Sequence, residues 1–565
     1  MVTIKDKQLN YTSEKKSEMT LGKMLLKAWQ PFFLLIISQI ILQFFAIFMS
    51  LMIRDLFDAA VAGDSALLVA KAPLFIALSI GLLPFNIWLS YVRALFIRKA
   101  DAITKQRYLK RVFAKNINEF QSSGISRYIN DITNNTNTLE ERYYRQITIV
   151  VMSVTNFLGS LIIIISINWE SLAFILPIIA LIFFLMYKTG GFLKKPEAEK
   201  AEYLEEYTRY AKESLAAFRI VKSFQLEQRI INDFDQRSKN VQDKSHEIER
   251  RATYLQAVNQ LFTSAIALFG MLIGIRAVSK GYISIGVLLI TIVAISNMIH
   301  PIFMLSEALP HIRSVEPIFK KMEEHLKNRH EQKINQPYQG LAQQIELSEL
   351  SFDYPDIPVL KNASALFKKG GKYLIVGPSG SGKSTILRLL RKYFNPDQGQ
   401  ILLDQTSLSE IETESYYQKL ANIEQNVFIF DDTIRNNITL YHEIPEEEFN
   451  QAIQAAGLEN LLASRKNGAE DILVNNGAEL SGGEKARIAI ARGLLSEAEI
   501  ILLDEPFASL DDETAQKIEQ SLFALPEVTV INVSHIIFED TKHLYDKIYL
   551  VKDGQIIVKP DKTNV

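Results

Sequence analysis

The stretch Gly377-Pro378-Ser379-Gly380-Ser381-Gly382-Lys383-Ser384-Thr385 decides the fold of the second half of this chain. It fits the pattern G-x-x-x-x-G-K-[ST], in which glycines let backbone N–H groups turn towards phosphate groups. A strand-like apolar stretch (373–376) precedes it and a helix-like stretch (385–392) follows it. The start of that helix adds the positive end of a helix dipole. The stretch therefore predicts a phosphate-binding loop between a strand and a helix.

Two motifs supply the polar side chains that nucleotide chemistry needs. In the loop, Lys383 can reach the β- and γ-phosphates of ATP, and Ser384 can bind Mg²⁺. The apolar run 500–503 fits a buried parallel strand, and Asp504 at its carboxyl end is placed to hold Mg²⁺. The next residue, Glu505, can orient or deprotonate an attacking water. The two motifs together predict hydrolysis of ATP.

Length and composition limit the remaining classes. A chain of 565 residues is too long for one core, so at least two domains are expected. The net charge of −2 does not favour a nucleic-acid partner. The absence of cysteine excludes disulfides, thiolate metal sites and a cysteine-protease domain.

The first half of the chain contains six apolar stretches long enough to cross a bilayer of ~30 Å, which takes about 20 helical residues. They are residues 31–53, 73–97, 147–167, 171–187, 261–278 and 285–305. Lysine and arginine are concentrated in the N-terminal lead and in segments 98–145 and 188–251, and the positive-inside rule places these in the cytoplasm. Loops near 55–71, 168–170 and 279–284 are then expected to face outward. The two long cytoplasmic segments are read as extensions of the membrane helices.

Polar residues within the spans are candidates for a substrate path. They are Gln39, Gln43, Asn86, Asn297 and His300, with Arg93 and Asn156 as further examples. Gln39 and Gln43 are four residues apart and share one helix face. Two interpretations stay open, because an amide in a span either lines a solute route or bonds a neighbouring helix, and the second is the more common situation.

These features predict a multidomain protein, with a six-helix all-α transmembrane domain followed by an α/β P-loop NTPase domain. The expected boundaries are a cytoplasmic lead (1–30), a transmembrane domain (31–312), a linker (313–344) and an ATP-binding domain (345–565). The N-terminus and the ATP-binding domain are expected in the cytoplasm, and the membrane is expected to be a bacterial plasma membrane.

Further motifs, in order along the chain, make a resemblance specific. They are Tyr354 in Phe352-Asp353-Tyr354-Pro355, Gln425 in Ile423-Glu424-Gln425-Asn426, Leu480-Ser481-Gly482-Gly483-Glu484, Ala508-Ser509-Leu510-Asp511, and His535 in Asn532-Val533-Ser534-His535. With them, the chain resembles a half-molecule of the ABC transporter family, whose membrane half is of the exporter type. The resemblance implies that Tyr354 stacks on adenine and that Gln425 and His535 join Lys383 and Glu505 in catalysis.

The resemblance also implies a dimer that sandwiches two ATP molecules with Mg²⁺. Each ATP would lie between the phosphate-binding loop of one subunit and Ser481, Gly482 and Gly483 of the other, and Gln425 would join Ser384 and Asp504 as a metal ligand. The partner is thus a second half-transporter subunit. Symmetry favours a homodimer, and a heterodimer is the alternative. Membrane lipid and a transported small molecule or peptide complete the expected partners.

Two departures from the family pattern and three functions stay open at this point. Glu484 stands where glutamine is usual, and Asn475-Asn476-Gly477 replaces an acidic, glycine-rich stretch. The first function is ATP-driven export of an amphipathic or hydrophobic solute by alternating access. The second is import of a metal chelate or other small solute on the same fold. The third is an ATPase that regulates partners without transport, against which the six predicted spans argue.

Overall fold

The computed structural model describes residues 20–167, 177, 194–327, 336–354 and 357–559. The chain divides into two compact units. One comprises Met1–Lys115 with Ser123–Lys327, and the other comprises Asn116–Ser122 with Asn328–Val565. The first unit contains the apolar stretches and the second contains the phosphate-binding loop, so the predicted linker (313–344) contains the change from one unit to the other.

Helices account for the regular structure before residue 328 among the described residues. They are α1 (Leu21–Lys27), α2 (Trp29–Ala62), α3 (Ser65–Phe113), α4 (Ile117–Ser123), α5 (Ile125–Asn130), α6 (Thr136–Leu139), α7 (Arg145–Ile167), α8 (Lys194–Ala216), α9 (Phe218–Ser223), α10 (Glu227–Ser279), α11 (Ile285–Ser314) and α12 (Glu316–His325). Two π-helical turns, Asp131–Asn135 and Glu140–Tyr144, join α5, α6 and α7.

Four helical stretches in the described part of the chain are long and apolar enough to cross a membrane. They are Trp29–Ala62, Ser65–Phe113, Ile125–Ser166 and Ile285–His325. These contain the first, second, third and sixth predicted spans. The predicted fourth span, 171–187, lies outside the described residues apart from Pro177. The fifth lies within α10, where Gly270–Ser279 forms a shorter apolar segment.

The spans extend further than their apolar runs. The outward loop expected near 55–71 is largely helical, because α2 continues to Ala62 and the chain turns only at Gly63 and Asp64. Gly63 has a φ of +70°, a conformation that glycine adopts readily. The carboxylate of Asp64 then accepts hydrogen bonds from the N–H groups of Ala66 and Leu67, which caps α3. Local capping therefore sets this turn.

The second unit contains ten strands and seven α-helices in its described residues from 336 to 559. The strands are β1 (Gln344–Tyr354), β2 (Ile357–Lys368), β3 (Lys372–Val376), β4 (Gln398–Leu403), β5 (Thr406–Ser407), β6 (Leu420–Ile423), β7 (Ile500–Asp504), β8 (Thr529–Val533), β9 (Lys547–Lys552) and β10 (Gln555–Val558). The helices are α13 (Lys383–Leu390), α14 (Thr413–Tyr417), α15 (Ile434–Thr439), α16 (Glu446–Ala455), α17 (Glu459–Ala463), α18 (Gly482–Leu495) and α19 (Asp512–Phe523).

The strands form two sheets. A four-stranded antiparallel sheet has the order β2-β1-β4-β5, and a six-stranded sheet has the order β10-β9-β3-β8-β7-β6. Within the larger sheet, β9, β3, β8, β7 and β6 are parallel and β10 pairs antiparallel with β9. The side chains of β3 and β8 are buried throughout, as expected for parallel strands covered on both faces.

Candidate nucleotide-binding site

Four neighbouring parallel strands carry the predicted site residues at one edge of the larger sheet. The phosphate-binding loop follows β3, His535 follows β8, Asp504 and Glu505 lie at the end of β7, and Gln425 follows β6. Carboxyl ends of parallel strands form the edge where ligands bind in open α/β sheets. The topology therefore gathers residues that are more than 150 positions apart in the sequence.

The phosphate-binding loop has a backbone that only glycine fits at its start. Gly377 has a φ of +155°, and a Cβ atom there would lie 2.3 Å from the carbonyl oxygen of Val551. Lys383 is 7% exposed, and its Nζ donates hydrogen bonds of 2.9 Å to the carbonyl oxygens of Gly377 and Pro378. The ammonium group is thus held over the loop, where it is available to a phosphate.

Other residues of the phosphate-binding loop also suit a bound phosphate. The side chain of Thr385 is buried at the start of α13, and the hydroxyl of Ser381 is buried with no hydrogen-bond partner among the described residues. Gly380 and Gly382 have φ values of +78° and +104°, and Ser379 lies between Pro378 and Gly380 on an exposed turn. A loop that aims donors inward and lacks side chains at its glycines fits a polyphosphate.

Ser384 and Asp504 meet as the Mg²⁺ prediction requires. The hydroxyl of Ser384 donates a 3.2 Å hydrogen bond to Asp504 Oδ1. Burial raises the pKa of the Asp504 carboxyl above its ordinary value, although the guanidinium of Arg391 opposes this. A hydroxyl beside a carboxylate is a suitable pair of oxygen ligands for Mg²⁺, which prefers few protein ligands together with phosphate oxygens.

Arg391 is a residue that sequence reasoning did not single out. It is 3% exposed, and its Nη1 lies 3.7 Å from both Asp504 Oδ2 and Glu424 Oε1. Its Nε and Nη2 atoms are buried without a partner in the described part of the chain. The available signal was a basic residue directly after the mostly apolar helix α13, eight positions beyond Lys383.

Glu505 lies between Gln425 and His535. Gln425 Nε2 donates a 3.2 Å hydrogen bond to Glu505 Oε2, and His535 Nδ1 lies 3.4 Å from Glu505 Oε1. Glu505 has a φ of +51°, which is uncommon for a residue with a side chain and is found at functional sites. The structure therefore brings together three of the four side chains expected in catalysis, Glu505, Gln425 and His535, which come from three strand ends.

Tyr354 lies at the end of β1 with its ring half-buried. Its hydroxyl accepts a 2.9 Å hydrogen bond from Arg388 of α13, the helix that follows the phosphate-binding loop. The ring makes edge-on contacts with Phe352 and Phe394, at centroid distances of 5.1 and 5.6 Å. These contacts hold the ring in a fixed orientation beside α13, as an adenine-stacking residue requires.

Ser481 and Glu484 form a capping box at the start of α18. The N–H and the hydroxyl of Ser481 both donate to Glu484 Oε2, over 2.7 and 2.8 Å, and the N–H of Glu484 donates to Ser481 Oγ. Partial burial raises the pKa of Glu484, but the hydrogen bonds from Ser481 outweigh it and bring the pKa below its ordinary value. The unusual glutamate thus folds back onto Ser481.

The glycines after Ser481 pack against the segment that follows β7. A Cβ atom on Gly482 would lie 3.3 Å from Ser509 Oγ, and one on Gly483 would lie 2.9 Å from the carbonyl oxygen of Ser509. The backbone explains the residue types of the altered stretch before α18. Asn475, Asn476 and Gly477 have φ values of +52°, +56° and +59°. Asparagine and glycine are the residues that tolerate this left-handed conformation best.

Asn476 connects that stretch to two neighbours. Its Oδ1 accepts a hydrogen bond of 2.8 Å from the N–H of Ile429, and its carbonyl oxygen accepts one of 2.7 Å from Lys485 Nζ. The segment after Gln425 is thereby tied to the helix that begins at Gly482.

The polar residues of the membrane spans have different surroundings. Gln39 is 3% exposed on α2, and the Gln43 side chain packs so closely against Gly159 of α7 that a Cβ there would overlap it. Asn86 donates a 2.8 Å hydrogen bond to the carbonyl oxygen of Leu82 in its own helix. Asn297 and His300 are exposed on α11. Gln43 therefore makes a helix contact, whereas Asn297 and His300 point away from the core of their unit.

Comparison with known families identifies both halves of the chain. The ABC transporter transmembrane region matches residues 31–302, and the ABC transporter family matches residues 360–508. The second match contains the phosphate-binding loop, Gln425, Ser481 and Glu505. The chain is also similar in fold to a bacterial Atm1-family ABC exporter with ATP bound, with a TM-score of 0.78, 22% identity and coverage of 95% of each chain.

Two curated relatives carry different cargoes. The chain is 30% identical over 358 residues to the mitochondrial iron-sulfur clusters transporter atm1 of Aspergillus fumigatus, a match that covers 61% of this chain and 49% of the relative. It is 27% identical over 531 residues to an ATP-dependent lipid A-core flippase of Pseudoalteromonas translucida, covering 91% and 90%. The chain thus matches about half the length of the first relative and most of the second.

Proposed function

We propose that this chain, which belongs to the ABC transporter family, hydrolyses ATP to export an amphipathic or hydrophobic solute, such as a drug, a lipid or a peptide. The observation that carries this proposal is the single sheet edge that holds Lys383, Asp504 and Glu505, in a chain that also contains long apolar helices. The exporter-type fold supports the outward direction. The two curated relatives have unlike cargoes, iron-sulfur clusters for one and lipid A-core for the other, and only the second is a lipid.

In this proposal the site residues have separate roles. Lys383 exchanges its bonds with the loop carbonyls for bonds with phosphate oxygens, which costs little reorganisation because the ammonium is already positioned. Glu505 accepts a proton from the attacking water, and Gln425 and His535 orient the Glu505 carboxylate. Bound through Ser384 and Asp504, Mg²⁺ would neutralise charge on the phosphates. Positioning and charge stabilisation supply most of the catalysis of phosphoryl transfer.

We further propose that the active unit is a dimer, with symmetry favouring two copies of this chain. Ser481 of the partner subunit would then complete each ATP site with its hydroxyl and N–H donors. Closure of the ATP-bound dimer and its reopening after hydrolysis would switch the membrane helices between inward and outward access. The bacterial plasma membrane is the proposed location, in line with the bacterial flippase relatives.

The test is a flux assay with the full chain in phospholipid vesicles. ATP added outside acts only on chains whose ATP-binding domain faces outward, so export appears as accumulation in the vesicle lumen. The panel contains a fluorescent amphipathic cation, a labelled phospholipid and a hydrophobic peptide. We expect ATP-dependent accumulation of at least one of them, and none with the Lys383→Ala variant. ATP-driven loss of preloaded solute would support import instead, and ATPase activity without any flux would contradict transport.

A further inference from the structure

A cavity of about 420 Å³ in the first unit is lined by α3 and by the turn that leads into α7. Arg93 and Arg98 line it from α3, and Arg145 lines it from the start of α7. One water occupies about 30 Å³ in the liquid, so the cavity has room for a polyatomic group. None of the residues that form it belongs to the nucleotide site, and Arg93 alone among them was also a candidate for the substrate path.

The cavity has an excess of positive charge. Arg145 Nη2 pairs with Glu140 Oε1 at 2.7 Å, so the positive charge of Arg145 is already neutralised by a carboxylate. Arg93 and Arg98 have no carboxylate within ion-pair distance among the described residues, and the Nε atom of Arg93 is buried there without an acceptor. A buried donor without a partner costs free energy, which a bound acceptor recovers. The cavity therefore favours an anion with several acceptor oxygens.

Besides Glu140, which pairs with Arg145, the cavity contains one further carboxylate, that of Asp101. Asp101 Oδ2 pairs with Lys105 Nζ at 2.8 Å, whereas Asp101 Oδ1 is buried with no donor in the described part of the chain. A ligand that places an anionic group on the arginines and a hydroxyl on Asp101 would satisfy both kinds of unpaired atom. That combination describes a phosphate ester with a hydroxyl-bearing substituent.

The wall of the cavity is held in place from both sides. The hydroxyl groups of Tyr144 and Thr104 lie 2.6 Å apart, and the Tyr144 ring contacts the edge of Phe96. The π-helical turn Glu140–Tyr144 separates Glu140 from Arg145 by five residues, and such turns are frequent at functional sites. These contacts fix the helix and the turn from which the arginines project, and the side chains of Arg98 and Arg145 are exposed.

The depth of the cavity indicates the source of the anion. Arg93 lies four residues before the end of the apolar run 73–97, and Arg145 lies two residues before the run 147–167. Both are at the predicted cytoplasmic interface, where lipid phosphates lie. Basic pockets between membrane helices on this side bind anionic headgroups, and guanidinium groups bind phosphate oxygens in pairs.

We propose that this cavity binds the phosphate group of an anionic glycerophospholipid, and that phosphatidylglycerol fits it because its headgroup hydroxyl can donate to Asp101. The lipid test measures retained lipid and not transport, so the flux assay and the lipid test can fail separately. Free inorganic phosphate carries the same chemical group as the lipid headgroup. The experiment distinguishes the lipid from free phosphate.

The test uses the full chain in nanodiscs of phosphatidylcholine, with or without a fifth of the lipid replaced by phosphatidylglycerol. Lipids retained after transfer to detergent are counted by native mass spectrometry. For the wild-type chain we expect phosphatidylglycerol to be retained at least five-fold over phosphatidylcholine. Arg93→Gln and Arg98→Gln should each lower that preference by about five-fold, as expected for one arginine near the headgroup level. Lys99→Gln is the matched control, because Lys99 is exposed at the same depth and does not line the cavity.

Several results would overturn the proposal. One is the absence of any preference for phosphatidylglycerol in the wild-type chain. This measurement uses no variant, so it does not depend on whether a variant folds. Another is an equal loss in Lys99→Gln, which would indicate general surface charge. A third is complete loss of the retained lipid when inorganic phosphate is added at millimolar concentration. That result would assign the cavity to free phosphate.

Discussion

The carboxylate of Glu484 accepts hydrogen bonds from both the N–H and the hydroxyl of Ser481, over 2.7 and 2.8 Å. These are the two donors that the proposed dimer would offer to the γ-phosphate of ATP. One carboxylate oxygen therefore occupies, within the chain, the donors that the nucleotide needs. Glu484 stabilises the start of α18, and in the proposed dimer it would compete with ATP for Ser481.

Replacing Glu484 with Gln should lower the KM for ATP by roughly five-fold, because it removes one negative charge near the phosphates, and such a pair is worth about 1 kcal/mol in water. Glutamine still completes the capping box, so the melting temperature should stay unchanged. Steady-state ATPase kinetics measure the effect. Glu484→Ala is the control, since it removes the charge and also the cap. A higher KM in Glu484→Gln would contradict competition for Ser481.

Replacing Glu505 with Gln should preserve ATP binding and lower turnover by about 10²- to 10⁴-fold, the usual contribution of a general base. The substitution keeps the shape of the side chain and its contact with Gln425. ATP should then trap a closed dimer, which size-exclusion chromatography detects. The neighbouring Glu424→Gln provides a control that also removes a carboxylate beside Arg391. Turnover near the parent rate in Glu505→Gln would remove Glu505 from the site.

Replacing Tyr354 with Ala should raise the KM for ATP by about five- to hundred-fold and leave kcat nearly unchanged. A stacking contact is made equally in the ground state and the transition state, and base–aromatic stacking contributes about 1–3 kcal/mol. Tyr354→Phe keeps the ring and removes only the hydrogen bond from Arg388, so its KM should stay near the parent value. An unchanged KM in Tyr354→Ala would show that the ring does not stack on adenine.

Replacing Gln39 and Gln43 together with Leu separates two roles of the first span. If the pair lines the solute route, basal ATPase activity should survive while stimulation by substrate changes. The close contact between Gln43 and Gly159 favours the other role, a helix contact, for which we expect a lower melting temperature and an unchanged substrate response. Ser79→Leu is the matched control, since Ser79 is exposed on α3 and its hydroxyl donates to the carbonyl oxygen of Phe75 in its own helix. Substrate-stimulated ATPase activity and thermal unfolding are measured on the same preparations.

Replacing Asp404 with Asn should lower the stability of the second unit by about 1–2 kcal/mol at neutral pH. The carboxylate accepts hydrogen bonds from the N–H groups of Ala342, Gln343 and Gln344. Burial alone raises the pKa of Asp404, but these bonds outweigh it and lower the pKa below its ordinary value of 3.8. The stabilisation is therefore present at neutral pH and is lost as the pH falls through the lowered pKa.

The measurement for Asp404 is the melting temperature of variant and parent at several pH values. The difference between them should stay constant from neutral pH down to the ordinary pKa of 3.8, and it should shrink below that as the pH falls through the lowered pKa. Asparagine tolerates the φ of +56° at this position, so the substitution tests the charge rather than the backbone. A difference that stays constant with pH would show that ionisation of Asp404 does not contribute.

The sequence by itself determined the kind of protein and the residues of the phosphate-binding site. The loop around Lys383, the strand ending at Asp504, and the apolar runs are local patterns, and local patterns follow from backbone geometry and hydropathy within a few residues. The tertiary structure decided which of these residues meet. The order of β3, β8, β7 and β6 places His535 and Gln425 against Glu505, and that order depends on contacts between segments far apart in the chain.

Other features depend on contacts between segments that no local pattern predicts. Arg391 joins the site only because α13 packs beside β7, and the cavity around Arg93 exists only where α3 meets the turn before α7. The sequence shows only that Glu484 stands where glutamine is usual, and the structure turns its carboxylate onto Ser481. Side-chain partners depend on packing and on the desolvation of each polar group, which no local pattern specifies. The sequence therefore sets the inventory of chemical groups, and packing in three dimensions decides which of them act together.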